Sequence, residues 1–436
     1  MSVTGAAPTI FALSTARGRA GVAVVRVSGP GAQDAIVTLA ARLPAPRAAK
    51  LARLSDPQSA EEIDRALVIW FPGPASFTGE DVAEFHIHGG SAVIAALLAA
   101  LGRFPTFRLA EPGEFSRRAF ENGKLDLTEV EGLIDLVEAE TSAQRRQALR
   151  QIGGQFSRVT AAWSNRLIRA LAYLEAAIDF SEEELPGQLV AEVTADVAGL
   201  AAEIGSYLAD DRRGEILRDG LSIALVGPPN SGKSSLLNLL AGREAAIVSA
   251  TAGTTRDVIE VHLDLGGYPV ILADTAGIHE TKDAVEQEGI ARARARADSA
   301  DIALIILDSQ VPVSRETDYA AGNILTVWNK IDLTPAPIGT IGISARTGAG
   351  VSELITLLTE RAEQRLGGAS PLVTRLRHRE ALKECEAMLI RASRTNEEAL
   401  LAEDLRLALR SLGRITGKID VEDLLDVIFR DFCIGK

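Results

Sequence analysis

Apolar positions change period three times along this chain, and the changes divide it. Up to residue 122 they form short alternating runs that stop at glycine or proline. Gly21-Val-Ala-Val-Val-Arg-Val27 predicts a strand closed by Ser28-Gly-Pro-Gly31. Leu67-Val-Ile-Trp-Phe71 predicts another, stopped at Pro72-Gly-Pro74. Ala83-Glu-Phe-His-Ile-His88 alternates up to Gly89-Gly90, and a helix is predicted over Ser91–Leu101. From Leu127 the period lengthens. Trp163, Leu167, Leu171, Leu174 and Ile178 follow helix spacing, as do Val193, Val197, Leu200, Ile204 and Leu208, with Pro186-Gly187 between the two runs. Asp210-Asp-Arg-Arg-Gly214 marks a boundary. Short apolar runs between loops then return until about Leu366, and Gly367-Gly-Ala-Ser-Pro371 reads as a linker. A helical pattern resumes from Arg375 to Phe432, with Leu400, Leu401, Leu405, Ala408 and Leu412 on one face.

The predicted fold class is multidomain α/β. An α/β domain occupies residues 1–122, and an all-α domain is assembled from 123–215 and 372–436. An α/β domain, 216–371, is inserted into the helical one. The two helical stretches have no other obvious partner, so they are expected to pack together. The length of 436 residues fits about three domains, and a hydrophobic fraction of 47% is ample for their cores. A net charge of −13 excludes a protein that coats nucleic acid through a general basic surface, but leaves room for a local patch. The two cysteines, Cys385 and Cys433, have no metal-ligand spacing and make no disulfide framework, so a reducing cytoplasm is expected. Apolar runs such as Ala92–Leu101 and Ile302–Leu307 are too short to span a bilayer, and no signal peptide is evident.

Gly227-Pro-Pro-Asn-Ser-Gly-Lys-Ser-Ser235 fits the phosphate-loop pattern G-x-x-x-x-G-K-[ST]. An apolar predicted strand, Leu221–Val226, precedes it and an apolar helical start follows. Gly227 and Gly232 let the backbone curl so that N–H groups point inward, and a helix N-terminus adds positive potential. Contacts to a nucleotide are expected from Asn230, Ser231, Gly232, Lys233, Ser234 and Ser235. Lys233 reaches the β- and γ-phosphates, and Ser234 ligates Mg²⁺.

Downstream motifs select the base. Asp274-Thr-Ala-Gly277 follows the run Pro269–Ala273. Asp274 is placed to hold Mg²⁺, and Thr275, Ala276 and Gly277 to approach a γ-phosphate. Asn329-Lys-Ile-Asp332 follows Ile324–Trp328. The Asp332 carboxylate can accept hydrogen bonds from guanine N1–H and N2 but finds no such donors on adenine. Asn329 and Lys330 frame it, and Ser344-Ala-Arg346 fits the loop that backs guanine with a main-chain N–H. Within Ala250-Thr-Ala-Gly-Thr-Thr-Arg-Asp257, Thr255 is the expected second Mg²⁺ ligand. The ordered set reads as an inserted GTPase (Ras-like) domain. Position 278 is isoleucine, where many GTPases carry the glutamine that orients water. Glu286, with Glu288 second, is the candidate replacement, set against the plainer reading of solvated acids. Asn230 offers a neutral oxygen that can help hold a monovalent cation where others use an arginine finger.

The motif order and both chain ends resemble the bacterial tRNA uridine-modification GTPases of the MnmE (TrmE) family. Ile10–Val22, Val25-Arg-Val-Ser-Gly29, Ser76-Phe-Thr-Gly-Glu-Asp81, His86-Ile-His-Gly-Gly90, Pro112-Gly-Glu-Phe-Ser116, Asn122-Gly-Lys-Leu-Asp-Leu127 and the tail Phe432-Cys-Ile-Gly-Lys436 carry the resemblance over nearly the whole chain. It implies an N-terminal domain that dimerises the protein and binds 5-formyl- or methylene-tetrahydrofolate through Arg26, Glu84, Lys124 and Lys436. It implies K⁺ held by Asn230, Ser249, Thr251 and Thr254, with Ser249 and Thr254 also at the nucleotide, and Glu286 as the catalytic glutamate. It also implies GTP/GDP and Mg²⁺, an FAD-dependent partner, MnmG (GidA), and tRNA modified at the wobble uridine.

Cys433, beside the implied folate site, is a candidate nucleophile, against the plainer reading of a buried apolar cysteine. Cys385 reads as core. His86 and His88 share a strand face, where packing or folate contact is expected rather than a metal. The stretches 308–328 and 333–343 are short for the family, so the GTPase domain is expected to be trimmed on one edge. The rival reading, a regulatory or ribosome-assembly GTPase switch, is disfavoured by the acidic chain and by its tail.

Overall fold

The computed structural model describes the chain except residues 1–6, 17, 180–186, 244, 248–259, 275–298, 312–322, 369–370, 396, 420–424, 426–427, 430–431, 433–434 and 436. It forms two compact units, Met1–Ile134 with Gly413–Lys436, and Asp135–Leu412.

In the first unit, alternating runs form strands β1 (Thr9–Leu13), β2 (Ala20–Ser28), β3 (Lys50–Ser55), β4 (Glu62–Phe71), β5 (Val82–Gly89) and β6 (Phe107–Leu109). They pair in the order β3-β4-β5-β2-β1-β6, antiparallel except for β1 with β6. Helices α1 (Ala32–Ala40) and α2 (Ser91–Leu101) contribute Ile36, Leu39, Leu97 and Leu101 to a core with Val25, Val27, Phe85 and Ile87 of the central strands. Side chains alternate along a strand, so Arg26, Ser28, Glu84 and His86 point to the opposite face. Near that face Ile10 and Ala12 pack with Phe77 and with Phe115 of α3 (Glu114–Glu121). Helix α4 (Leu127–Glu138) buries Leu127, Val130 and Ile134 against Leu425, Ile428, Phe429 and Phe432, which brings the end of the chain into this unit. Gly435 is fixed there. The Ser14 hydroxyl donates to its carbonyl at 3.0 Å, and a Cβ at Gly435, φ +103°, would lie 2.3 Å from the Leu13 oxygen.

The second unit joins helices to a second sheet. Helices α5 (Ser142–Ile152), α6 (Gln155–Asp179), α7 (Gly187–Leu208) and α8 (Arg213–Asp219) lead into β7 (Leu221–Val226). Trp163, Leu167, Leu174, Val193, Val197, Leu200 and Ile204 are buried, as their spacing requires. Leu171 and Leu208 are half-buried, and the Ile178 side chain lies outside the described residues. The rest of the sheet is β8 (Glu260–Leu265), β9 (Tyr268–Asp274), β10 (Ile302–Asp308), β11 (Ile324–Asn329) and β12 (Ile341–Gly342). Helix α9 (Lys233–Ala241) follows β7, and α10 (Val351–Leu366) follows β12. Strand order is β12-β11-β10-β7-β9-β8, parallel except for β8. Sequence order reverses direction beside β7, so the loops leaving β7, β10 and β11 converge on one crevice. Residues 330–340 hold turns and no helix, as the short connection requires; 312–322 lie outside the described residues.

The chain then returns to the helices. Helix α11 (Leu376–Ala392) lies along α7 and buries Leu382, Cys385 and Leu389. Burial pushes the Cys385 thiol up to about 12, with Glu386 adding to the effect, so Cys385 is an inert core thiol. In α12 (Glu398–Thr416), Leu401, Leu405, Ala408 and Leu412 face inward, but Leu400 is 53% exposed. The expected apolar face therefore loses Leu400, which stands one residue, about 100° of helix, from the stripe that starts at Leu401.

Candidate functional site

The phosphate loop turns at Gly227, φ +150°, and Gly232, φ +96°. A Cβ on Gly227 would sit 2.2 Å from the Ile306 oxygen, and one on Gly232 would sit 2.1 Å from the Asn329 side-chain nitrogen. Only glycine fits either place. Asn230 is in the left-handed region too, at φ +60°, and is exposed on the loop. Lys233 opens α9, and its ammonium donates to the Gly227 and Pro228 carbonyls at 2.8 and 3.0 Å, so the charge stays over the loop. The Ser231 hydroxyl is buried and makes no hydrogen bond among the described residues, as suits a group turned to a ligand. The Ser234 hydroxyl donates to Asp274 Oδ2 at 2.7 Å. Two adjacent hard oxygens beside a phosphate cradle fit Mg²⁺.

The base pocket is built around Asn329, which is 2% exposed. Its amide donates to the Ser231 carbonyl at 2.8 Å and accepts from the Ala345 N–H at 3.0 Å, joining the phosphate loop to the Ser344–Arg346 loop. Ser344 donates to Asp332 at 2.6 Å and accepts from the Thr347 N–H, which fixes the carboxylate that would read guanine. Lys330, at φ +69°, pairs with Asp308 at 2.6 Å. That hydrogen bond, with the Gln310 N–H, holds the Asp308 carboxyl below its usual range. Asp308 and Ser309, which donates to the Lys330 carbonyl, were not predicted; their place at the end of an apolar strand beside the base motif was the available signal.

The first unit carries a second polar cluster. Arg26 is paired across the sheet with Glu84 and bonds one of its carboxylate oxygens at 2.9–3.0 Å. His86 takes the other at 3.2 Å. The Arg26 guanidinium lies over Phe77 and Phe115, 5.3 and 5.8 Å from the ring centroids. Its Nη1 makes no hydrogen bond among the described residues. Lys124 donates to the Pro74 carbonyl at 3.1 Å, so Arg26, through Phe77, and Lys124 both meet the loop between β4 and β5, and Glu84 is tied to it through Arg26. A cation, a carboxylate and aromatic faces suit the polar ring and acidic tail of a folate. His88 bonds Asp64 at 2.8 Å, and no group of three or more ligating His, Cys, Asp or Glu stands together among the described residues.

Sequence reading also missed the support under this loop. Ser28 bonds Thr78 and Glu80 at 2.7 Å, and buried Arg118 bonds Glu80 at 3.0 Å, Glu114 at 3.0 Å and the Pro8 carbonyl at 2.8 Å. Burial alone would raise the Glu114 carboxyl, but Arg108, the Glu111 N–H and Arg118 outweigh it and hold it low. Ser28 follows Arg26 by two residues on one strand face, which was the signal. Of the other predicted residues, Ser249, Thr251, Thr254, Thr255, Thr275, Ala276, Gly277, Glu286, Glu288, Cys433 and Lys436 lie outside the described residues.

Loop, lysine, paired oxygens and Asp332 pocket on a doubly wound sheet define a phosphate-loop GTPase domain. Residues 9–124 match the GTP-binding protein TrmE N-terminus, and residues 127–433 match the MnmE helical domain. The tRNA modification GTPase MnmE of Parvibaculum lavamentivorans is 58% identical, over 98% of this chain and 100% of that protein. That of Rhodospirillum rubrum is 53% identical, over 98% and 99%. The mitochondrial 5-taurinomethyluridine-[tRNA] synthase subunit GTPB3 of Danio rerio is 50% identical, over 98% and 93%. The chain belongs to the MnmE family of tRNA modification GTPases.

Proposed function

We propose that this chain works in the cytoplasm as a K⁺-activated homodimeric GTPase that drives modification of tRNA. With an FAD-dependent partner of the MnmG (GidA) type, it adds an aminomethyl or carboxymethylaminomethyl group at C5 of the wobble uridine. The carbon comes from formyl- or methylene-tetrahydrofolate. The observation that most supports the reading is the Asn329 bridge, which ties the phosphate loop to the Ser344–Arg346 loop, whose Ser344 bonds Asp332. The relatives' names supply the tRNA. No helix among the described residues is long and apolar enough to cross a membrane.

In this reading the loop N–H groups and Lys233 bind the phosphates of GTP, and Asp332, oriented by Ser344, selects guanine. Mg²⁺ at Ser234, Asp274 and Thr255 neutralises developing phosphate charge when bound. Asn230, with Ser249, Thr251 and Thr254, would hold K⁺, which would supply positive charge beside the phosphates, and Glu286 positions the attacking water. Arg26, Glu84, Lys124 and Lys436 hold the folate, with Cys433 as a candidate nucleophile toward uracil or the one-carbon unit. Mass spectrometry of tRNA nucleosides from a strain lacking this gene tests the whole: wobble uridines without the C5 group are expected, and unchanged uridines leave a regulatory switch instead.

A further inference from the structure

From Thr141 to Leu174 the chain holds six arginines and no aspartate, glutamate or lysine, within a protein carrying 59 acidic residues. Arg166 is used internally, on Asp196 and Glu203. Arg145, Arg146 and Arg150 are exposed on α5 and have no acidic partner among the described residues. Arg146 is steadied by its own helix, through the Ser142 hydroxyl at 3.2 Å. Arg158, also exposed, donates to the carbonyl of Gly153, which caps the C-terminal end of α5, at 2.7 Å. The four guanidinium groups thus lie along α5 and over its end. Arg146 and Arg150 stand one helical turn apart, about 6 Å between Cβ atoms, so they reach out side by side. Acids that approach the same helix are engaged elsewhere: Glu140 bonds His262 at 2.9 Å and Asp219 bonds Arg218. Glu138, exposed at the end of α4, stands four residues before the helix.

We propose that this face of α5, with Arg158, binds the phosphate backbone of the RNA substrate. The partner's chemistry follows from the side chains. Guanidinium forks match phosphate oxygens in pairs, and exposed arginines without an acidic partner, in a stretch of sequence without acids, are the local footprint of a polyanion site. At −13 the chain as a whole repels RNA, but the repulsion fades beyond a Debye length of about 10 Å, so a local patch decides contact. No base-reading arrangement accompanies the arginines, so the patch sets position and affinity rather than sequence choice. The inference rests on the tRNA reading above for the identity of the RNA.

The test uses the full chain and a fluorescently labelled, unmodified tRNA transcript, titrated by anisotropy at several salt concentrations. The variant R145Q/R146Q/R150Q/R158Q should bind about tenfold or more weakly at 0.1 M salt. Its plot of log K against log salt should flatten by about 3, near one phosphate contact per arginine. GTP hydrolysis and the thermal unfolding midpoint should match wild type. A control, R361Q/R394Q, removes exposed arginines elsewhere and should bind as wild type. Wild-type binding together with an unaffected quadruple variant sinks this proposal alone, as does equal loss in the control. Unchanged RNA binding with loss of a protein partner assigns the face to that partner and also overturns it. If wild type binds no tRNA, with or without its partner protein, the proposed tRNA substrate falls as well.

Discussion

In the proposed nucleotide site Asp332 is the residue that would select the base, and Asn329 holds the surrounding loops in register. The bond from Ser344 at 2.6 Å points one Asp332 oxygen and leaves the other for the base. Asp332→Asn replaces an acceptor pair with a mixed amide. Two charge-assisted bonds are lost, so GTP should bind at least about a hundredfold more weakly. Xanthosine triphosphate, whose C2 oxygen accepts from the new amide, should bind better than to wild type. Nucleotide titrations check both, and unchanged GTP affinity would place the base elsewhere. Asn230 stands exposed on the loop in a left-handed turn, free to offer its side-chain oxygen. Hydrolysis should be much faster in K⁺ than in Na⁺, and Asn230→Ala should abolish the difference while leaving GTP binding nearly intact. Equal wild-type rates in the two salts would remove the cation role.

Helix α8 is the element that hands the helices on to the nucleotide sheet, because β7 and the phosphate loop follow it directly. Gln147 donates to its Gly214 carbonyl at 3.2 Å and Gln144 to its Arg218 carbonyl at 2.9 Å, both from α5. Arg379 of α11 reaches Glu215 at 2.5 Å, Asp210 at 2.6 Å and the Leu208 carbonyl at 2.9 Å. Arg379→Met leaves a carboxylate only 4% exposed, with Arg212 as its remaining cation, and should cost about 3–5 kcal/mol in urea unfolding. The same pair predicts a pH dependence. Burial raises the Glu215 carboxyl, but Arg379 and Arg212 outweigh burial and hold it below 4.5. Its contribution is therefore full above about pH 4.5 and is lost as pH falls through the lower folded value. Glu215→Gln should flatten the loss of stability between pH 5 and 3; an identical acid limb would show that the pair does not titrate with folding.

The elements themselves were legible because their signals are local. Strand, glycine loop and helix around Gly227–Ser235 sit within a few residues of one another, as do the alternating residues of the Arg26 strand. The ties between elements were not. Arg379 and Glu215 are 164 residues apart, and Asn329 and Ser231 are 98 apart. No periodicity links such positions: Arg379 and Glu215 each read alone as a solvated side chain, and Ser231 and Asn329 as two separate nucleotide contacts. Leu400 failed for the opposite reason. Its composition suited the apolar face, but its phase did not.

Each of the two compact units has its own sheet and its own core, and the chain passes between them inside α4 and again inside α12. Nucleotide chemistry belongs to the second unit, while Arg26, Glu84 and Lys124 belong to the first. Under the function proposed above, hydrolysis and one-carbon transfer should then be separable by mutation in one direction only. Arg26→Ala removes the guanidinium over Phe77 and Phe115 and should leave GTP hydrolysis within about twofold of wild type while abolishing wobble modification. Asp332→Asn should lose both, since it removes the step that drives the rest. Glu84→Gln serves as a companion: it loses the ion pair but keeps an amide oxygen that can accept from the Arg26 guanidinium, so the charge left there still has a hydrogen-bond partner. If it also loses modification, with an unchanged unfolding midpoint, the effect is one of chemistry rather than of folding. Purified variants assayed for phosphate release, and strains carrying them assayed for wobble nucleosides, give the two readouts. Normal modification in Arg26→Ala would move the one-carbon site away from this face, whereas loss of hydrolysis there would mean that the first unit governs the GTPase itself.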